Sequence, residues 1–359
     1  MDNNGLLFIP DISGFTKFVN EIEIEHSRYI IGELLGNIIN SNQMRLAVSE
    51  IEGDAVLFYR LGKAPLLDEV YGQVENMFCN FQKQLQNYET RRACQCKACV
   101  AAINLSLKII THYGEFSTYN VEKYKKLIGK DVIVAHQLLK NDIDLHEYWL
   151  VTDDLFNNNK TVDNLPAWMK WQQGSVHTGA GETGFHYLML APLKDSVKPD
   201  PLSKLGLGSR GVKLAGQHKI IDAPLLTVLS IIGNFSLRSK WMEGVTSVDQ
   251  VSHPINHLGV RHRSFMESRS VIYYTSSFDE VGNTFTYSET DEDKTVSKFF
   301  TLEKLSDDQT MLAFDYYEKK RTFLPLYFSL FKRRKLVRRL ASSLENIQAL
   351  CSAGVGYHQ

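Results

Sequence analysis

The sequence predicts an α+β protein whose first unit contains an antiparallel sheet and whose second unit is rich in strands. Strand-like and helix-like patterns alternate from residue 6 to about residue 195. A stretch rich in proline, glycine and basic residues then interrupts the periodicity, and a second series of strand patterns follows it. These observations predict a first domain over residues 1–190, a linker over 191–216 and a second domain over 217–352.

Each element of the first domain is predicted from its own pattern. LLFIP is a short apolar run typical of a buried strand, and residues 17–48 carry apolar side chains at near-helical spacing. Residues 102–114 alternate and contain β-branched side chains, which indicates another strand. The remaining predicted elements are two short strands flanking Gly53-Asp54, an amphipathic helix over 66–88, a turn and helix over 129–141 and a strand at EYWLVT.

The second domain reads as strands followed by one helix. Its predicted elements are strands around 259–274, 283–290, 295–304 and 310–317 and a closing helix over 332–352.

Composition limits the function classes. The net charge of −1 gives no reason to expect binding of nucleic acid. The sequence contains no run of 18 or more apolar residues, so it predicts no membrane span, and MDNNGLLFIP lacks the features of a signal peptide. Three of the five cysteines fall within six residues, which is unlike a secreted disulfide framework. We therefore expect a cytoplasmic protein.

Two carboxylates are candidates for one shared site. Asp11 ends the first apolar strand, and Asp54 lies in EIEGDAVLFY at a predicted hairpin tip, so one sheet edge would bring both together. Paired carboxylates repel unless cations neutralise them, and two divalent metals can activate a nucleophilic oxygen and stabilise a leaving phosphate oxygen. The turn amides of Ser13 to Thr16 would suit a phosphate. The alternative is that Asp11 is a helix N-cap and Asp54 an ordinary turn residue.

FIPDISGFTKF and EGDAVLF resemble the metal-binding segments of the class III adenylyl/guanylyl cyclase domain. LSLKIITHYGEF and IGKDVIVAHQLL are similar to later segments of that domain, so the resemblance covers roughly residues 5–160 and points to an uncharacterised bacterial branch of cyclase-like proteins. It implies a ferredoxin-like, nucleotide-cyclase-type antiparallel sheet with helices, a purine nucleoside triphosphate as ligand and a homodimer.

The resemblance also implies roles for individual residues. Asp11 and Asp54 are implied as catalytic residues that bind two Mg²⁺ or Mn²⁺ ions, and Ile12 belongs to the same metal-binding set. The implied nucleotide-binding residues are Ser13, Gly14, Phe15, Thr16, Glu50 and Lys126. Glu50 stands where guanine-selecting cyclases carry a Glu, but Lys126 matches neither usual choice at its position, so the base stays open with a lean to guanine. Glu50 and Lys126 could also simply pair with each other.

The sequence departs from the family at two positions. Cyclases of this class use an Asn and an Arg from the partner subunit to orient the ribose and stabilise the transition-state phosphate; the matching positions here are Ile133 and Gln137. Gln137 retains hydrogen-bonding capacity and is the remaining catalytic candidate, but it carries no charge. Loss of such a donor typically costs about a hundredfold or more in rate. The metal-binding half of the site is present, and the catalytic half is rebuilt or lost.

The cluster RRACQCKACV forms a second candidate metal site. Cys94, Cys96 and Cys99 could face one Zn²⁺, with Cys79 or His112 as a fourth ligand. A reduced cysteine-rich loop and a redox switch are the alternatives.

The opening of the second domain, IDAPLLTVLSIIGNFSLRSKWMEGV, is similar to that of START-like (SRPBCC, polyketide cyclase-type) domains. The resemblance implies a helix-grip fold, in which a long C-terminal helix closes an apolar cavity over a curved antiparallel sheet. Relatives bind lipids or other hydrophobic small molecules. Trp241, Phe265 and Tyr273 are candidate cavity-lining residues, with plain core positions as the alternative.

Three functional hypotheses follow. The first is an active, metal-dependent nucleotide cyclase. The second is a degenerate cyclase fold that binds a nucleotide as a signalling sensor, and Ile133 and Gln137 favour it over the first. The third is a lipid or small-molecule carrier whose first domain serves only dimerisation.

Overall fold

The chain forms two compact units, one made of Met1–Asn87 and Ala101–Asp200 and the other of Tyr88–Val100 and Pro201–Gln359. The structure is a computed structural model. It describes residues 3–20, 24–91, 97–122, 124–157, 166, 168–179, 181–198, 211–251, 256–319 and 326–355. Within these ranges, no helix has both the length and the apolar character needed to cross a membrane.

A split βαβ arrangement forms the centre of the first unit. Four strands lie in the order β2-β3-β1-β4 with antiparallel neighbours, which is the order of ferredoxin-like folds. The elements up to residue 115 are β1 Asn4–Ser13, α1 Phe15–Asn20, α2 Ile24–Asn40, β2 Ala47–Glu52, β3 Ala55–Leu61, α3 Leu67–Arg91, α4 Lys97–Ala101 and β4 Ser106–Glu115.

The rest of the first unit extends this sheet and corrects one expectation. The further elements are β5 Ser117–Val121, β6 Tyr124–Ile128, α5 Lys130–Leu138, β7 Tyr148–Thr152, α6 Asp153–Phe156, β8 Gln172–Thr178 and β9 Gly181–Met189. The sheet continues as β4-β7-β9-β8, and β7 runs parallel to β4. The sheet is therefore mixed and not antiparallel throughout, because the long connection through β5, β6 and α5 allows a crossover.

The apolar core of the first unit surrounds strand β1, which carries Asp11 near its end. Strand β1 is central and buried over most of its length. Leu7 and Ile9 pack in one cluster with Val134 and Leu138 of α5. Because side chains alternate along a strand, Asp11 continues the face of Leu7 and Ile9 at the end of the strand.

Over its described residues from 211 onward, the second unit contains one antiparallel sheet and three α-helices. Its strands lie in the order β10-β16-β15-β14-β13-β12-β11. Its elements are β10 Gly211–Ile221, α7 Leu225–Gly233, α8 Arg238–Trp241, β11 Ser247–Gln250, β12 Arg261–Met266, β13 Arg269–Val281, β14 Thr284–Asp291, β15 Val296–Lys304, β16 Thr310–Lys319 and α9 Leu326–Ser352. Residues of α7, α8, α9 and the sheet share one apolar core.

Two boundaries in the second unit differ from expectation. Strand β10 begins at Gly211, inside the segment predicted as a linker. The glycines of this strand interrupt its alternating pattern in the sequence. A Cβ on Gly216 would lie only 2.1 Å from Asp315 Oδ1, so a side chain there would require Asp315 to move. The predicted strand over 259–274 is two strands, since Met266 pairs with Arg269 across a tight turn.

Candidate functional site

Asp11 and Asp54 lie at the same edge of the first sheet, as the sequence predicted. Asp11 is opposite Ala55 in the β1–β3 ladder, and the Ile12 amide donates to Asp54 O at 3.1 Å. Gly53 closes the β2–β3 hairpin with a φ of 60°, a conformation that favours glycine. A local turn and one strand register therefore bring the two carboxyl groups together.

The environment of this pair disfavours two full negative charges. Burial, and next the charge of Asp11, raise the pKa of Asp54 to about 6. Lys108 of β4 supplies a counter-charge, with Nζ 3.0 Å from Asp11 Oδ2. The same ammonium donates to Leu139 O at 3.2 Å, so it is held from two sides. Lys108 cannot be recognised from the sequence pattern, because only the β1–β4 register places it directly opposite Asp11.

The oxygen atoms at this site suit a divalent metal whose other coordination positions are filled by water and a bound ligand. Asp11 and Asp54 offer carboxylate oxygens, and Ile12 can offer only its backbone carbonyl. In the described part of the chain, no three or more His, Cys, Asp or Glu side chains group closely enough to hold a metal. Mg²⁺ typically keeps waters and binds through one or two carboxylates plus substrate phosphates, so a pair of acids fits that chemistry and not a closed protein cage.

The segment after Asp11 is a tight turn into a short helix. Ser13 ends β1, Gly14 has a φ of 87°, and α1 begins at Phe15. The Phe18 amide donates to Gly14 O at 3.0 Å, which is the first helical bond. The amides of the first turn, including those of Phe15 and Thr16, have no acceptor within the helix.

Glu50 and Lys126 form an ion pair with each other. Lys126 lies on β6 and donates to Glu50 Oε2, and this bond is the main cause of a raised Lys126 pKa. His136 Nε2 lies 3.7 Å from the other carboxylate oxygen of Glu50. The two predicted base-selecting residues are therefore adjacent, and a nucleobase would have to compete with this pairing.

Ile133 and Gln137 lie on α5, which begins after Gly129. Ile133 is 57% exposed. Gln137 Oε1 accepts from the Gly179 amide at 2.8 Å, in the β8–β9 turn. The Gln137 side chain thus holds a neighbouring hairpin turn.

His112 of β4 contacts Asp131 of α5 in the interior of the first unit. His112 Nδ1 is 2.8 Å from Thr152 Oγ1, and Nε2 lies 3.3 Å from Asp131 Oδ1. Asp131 Oδ2 accepts from the Glu115 amide at 2.6 Å. A Cβ on Gly114 would lie 2.4 Å from the Asp131 carboxyl carbon, so only glycine fits there. Both nitrogens of the His112 ring therefore lie near polar side chains of the first unit, and the suggestion that His112 is a fourth zinc ligand stays a prediction.

The cysteine cluster is only partly within the described residues. Cys94 and Cys96 lie outside them, while Cys99 is buried in α4 and Cys79 is half-buried in α3. Cys79 and Cys99 are not joined in a disulfide. A zinc site at this cluster stays a prediction.

The second unit contains a cavity of about 100 Å³ between the sheet and α9. Tyr273 lines it, as expected. Trp241 is instead a core residue, fully buried against the rings of Phe300 and Phe314. Phe265 is not among the lining residues either; it lies on β12, near the edge of the sheet.

Comparison with known sequences places the chain in a family. Residues 31–148 match the model of a family described as a protein of unknown function (DUF2652). "Uncharacterized protein Rv2561/Rv2562" from Mycobacterium tuberculosis (strain ATCC 25618 / H37Rv) is 31% identical over 170 residues, which are 45% of this chain and 74% of that protein. The chain therefore belongs to the same family as this mycobacterial protein.

Solved structures of cyclase domains are similar to the N-terminal half. The guanylate cyclase domain of RhGC from Catenaria anguillulae, in complex with GTP, is 13% identical with a TM-score of 0.39 and covers 52% of this chain and 97% of its own. The adenylyl cyclase CyaB from P. aeruginosa is 15% identical with a TM-score of 0.40 and covers 52% of this chain and 93% of its own.

Proposed function

We propose that the first unit is a cyclase-like domain that binds a purine nucleoside triphosphate with Mg²⁺ or Mn²⁺, and that the second unit binds a hydrophobic small molecule. The protein would act as a cytoplasmic signalling sensor with weak or lost cyclase activity. The observation that carries the proposal is the Asp11–Asp54 pair, in which burial and the neighbouring acid raise the pKa of Asp54 to about 6.

The residues of the first unit would divide the work of holding a nucleotide. Asp11 and Asp54 would bind the metal, which on binding supplies positive charge to the phosphates. Lys108 would leave Asp11 as the cation arrives, because both compete for the same carboxylate oxygen. The turn from Ser13 to Thr16 would approach the phosphate oxygens with its amides.

The proposal of weak or lost cyclase activity rests on two residues of α5, Ile133 and Gln137. An isoleucine at position 133 cannot hydrogen-bond a ribose, and Gln137 is neutral and already bonded to Gly179. A transition-state phosphate would then lack the charged donor that cyclases of this class supply from the partner subunit.

A homodimer is supported by apolar side chains near α5. Tyr119, Val121, Tyr124 and Ile128 of the β5–β6 hairpin are each at least 46% exposed, and Ile133 is exposed as well. Covering these side chains with a second copy would bury them. Replacing Tyr124 and Ile128 by Ser should shift the chain to a monomer in sedimentation velocity.

The other two hypotheses each have one supporting observation. The intact carboxylate pair favours an active cyclase. The cavity of the second unit favours a carrier in which the first unit serves only dimerisation.

Titration of the full chain with ATP and GTP in Mn²⁺ distinguishes the three. Binding and cyclic product should be followed together in the wild type, in Asp54→Ala and in Asp142→Ala, a matched change at an exposed aspartate. Binding without product, lost only in Asp54→Ala, supports the sensor. Product that disappears only in Asp54→Ala establishes the cyclase. If neither nucleotide binds the wild type, the metal-site proposal is wrong and the carrier hypothesis remains.

A further inference from the structure

The interior of the second unit contains an unusual set of charges. Arg238 and Glu289 are both fully buried and form a two-pronged ion pair, with N–O distances of 2.8 and 2.6 Å. Tyr287 also donates to Glu289 Oε1. The Arg238 guanidinium packs over the Trp241 ring at 4.8 Å. This pair balances its own charge and is stabilised by bidentate hydrogen bonds.

Lys298 adds a positive charge that this pair does not balance. Its ammonium lies 3.5 Å from Glu289 Oε2, but that carboxylate already serves Arg238. His262 stays neutral, because burial lowers its pKa to about 3. Asp291 adds a negative charge nearby, but its carboxylate accepts hydrogen bonds from the Thr295 hydroxyl and from the amides of Thr295 and Val296. Arg238 and Lys298 therefore share Glu289 as the carboxylate in contact with both.

The surroundings of the Lys298 ammonium satisfy it poorly. Its Nζ lies 3.5 Å from the centre of the Tyr273 ring and 3.7 Å from Met242 Sδ, a weak acceptor. Burial lowers the pKa of Lys298 to about 8 despite the nearby Glu289. An ammonium has three donors, and a carboxylate or phosphate oxygen would satisfy them far better than a ring face or a thioether.

Lys298 is also part of the wall of the cavity under α9. Arg269 and Arg339 line the same cavity, and Glu243 is its acidic lining residue, so positive charge predominates. The remaining wall is largely apolar and includes Phe314 and Leu340. A ligand complementary to this wall needs an anionic group and a small apolar body, because the cavity is only about 100 Å³.

We propose that this cavity binds an amphipathic anion, a carboxylate or phosphate group on a small apolar body, with the anionic group on Lys298 and the body against Phe314 and Leu340. This inference rests on the proposed ligand-binding function of the second unit and specifies its ligand class. A purely hydrophobic ligand would leave the buried Lys298 ammonium with only the Glu289 carboxylate, which it shares with Arg238, and would add no further acceptor.

Four probes that share a six-carbon chain and differ in their head groups test the inference on the full chain. Hexanoate, hexyl phosphate, 1-hexanol and hexylamine should be titrated separately and followed by ligand-observed NMR. We expect an anionic probe to bind at least about tenfold more tightly than 1-hexanol, as a hydrogen bond to a charged group requires. Hexylamine should bind most weakly. The order of hexanoate and hexyl phosphate identifies the anionic group, and either order supports the inference.

Replacing each of two lysines on strand β15 in turn provides a matched control. Lys298→Met should weaken the anionic probes by about tenfold and leave 1-hexanol unchanged, since it removes a charge-assisted bond. Lys304→Met makes the same change farther along β15, at an ion pair with Asp307 that is more open to solvent, and should alter nothing. The probe series needs only the wild-type chain, so it stands even if Lys298→Met does not fold.

Three results would overturn the inference. Equal affinity for 1-hexanol and the anions would show that the cavity binds hydrophobic ligands without a preference for anions. Unchanged anion binding in Lys298→Met would remove the role of Lys298. If no probe binds, the ligand-binding function of the second unit fails as well, while nucleotide titration of the first unit is read independently.

Discussion

Asp11 and Lys108 lie directly opposite each other on neighbouring strands, with Lys108 Nζ 3.0 Å from Asp11 Oδ2. Both side chains are largely buried, so the contact is more than a surface ion pair. Lys108 thus supplies the charge compensation that, in the proposed metal-binding site, a divalent cation would supply instead.

Replacing Lys108 with Met should make the fold depend on metal. Without the ammonium, Asp11 keeps its burial but loses its counter-ion, so we expect a loss of about 2 kcal/mol in the free energy of unfolding in EDTA. Mn²⁺ should restore more stability in Lys108→Met than in the wild type. Urea denaturation with EDTA or Mn²⁺ measures both effects, and equal recovery in both proteins would argue against a metal at Asp11.

Asp54→Asn should stabilise the metal-free protein in a pH-dependent way. The raised pKa of Asp54 means that the folded chain favours the protonated acid; this contribution is present below the ordinary pKa of 3.8 and is lost as pH rises through about 6. An asparagine cannot ionise and avoids that loss. The variant should therefore match the wild type near pH 4 and exceed its stability above about pH 6 in EDTA. A difference that does not change with pH would contradict the assigned environment.

If the proposed function is correct, placing the Asn and Arg of cyclases on α5 should raise activity. The double variant Ile133→Asn with Gln137→Arg supplies a ribose hydrogen-bonding group and a charged donor. If the proposed site is correct, cyclic product in Mn²⁺ should increase by about a hundredfold over the wild type, the usual size of such an electrostatic contribution. Gln137→Ala is the control, because it removes only the bond to Gly179. No gain, in a variant that still binds nucleotide, would show that other catalytic parts are missing.

Gly114→Ala should destabilise the first unit. The new methyl group would lie 2.4 Å from the Asp131 carboxyl carbon and would push Asp131 away from His112 and the Glu115 amide. We expect a loss of about 1–3 kcal/mol, as for overpacking in a core. Gly36→Ala is the control: it lies in α2 with nothing within 4 Å of the added atom and should gain about 0.5–1 kcal/mol. Thermal unfolding of both variants measures the contrast.

Arg238→Met should be among the most damaging single changes in the second unit. It leaves Glu289 buried without its main partner, at a cost of about 3–5 kcal/mol. Arg261→Met breaks another Arg–Glu ion pair, with Glu292, but about half of each side chain is exposed there, so the loss should stay below about 1 kcal/mol. Chemical denaturation should separate the two variants clearly; similar losses would mean that Glu289 finds a replacement partner, with Lys298 the nearest.

The sequence predicted local structure well where the pattern was strong. The hairpin around Gly53-Asp54, the strand at EYWLVT and the helix after Gly129 are all present. Much of β5, β6 and β8 is exposed, so these strands lack the buried apolar alternation that identifies a strand, and they were missed together with β9. The direction of β7 was also missed, since a strand pattern contains no information about its neighbour.

By itself, the sequence determined the elements around the first site and the two acids that end up together. Apolar periodicity and a glycine turn act over a few residues, so they can be read without the fold. The tertiary structure alone decided how each charge is compensated: the β1–β4 register pairs Lys108 with Asp11, and α8, β14 and β15 bring Arg238, Glu289 and Lys298 together. The effect of a charge depends on its burial and its neighbours, and both arise from contacts between residues far apart in the chain.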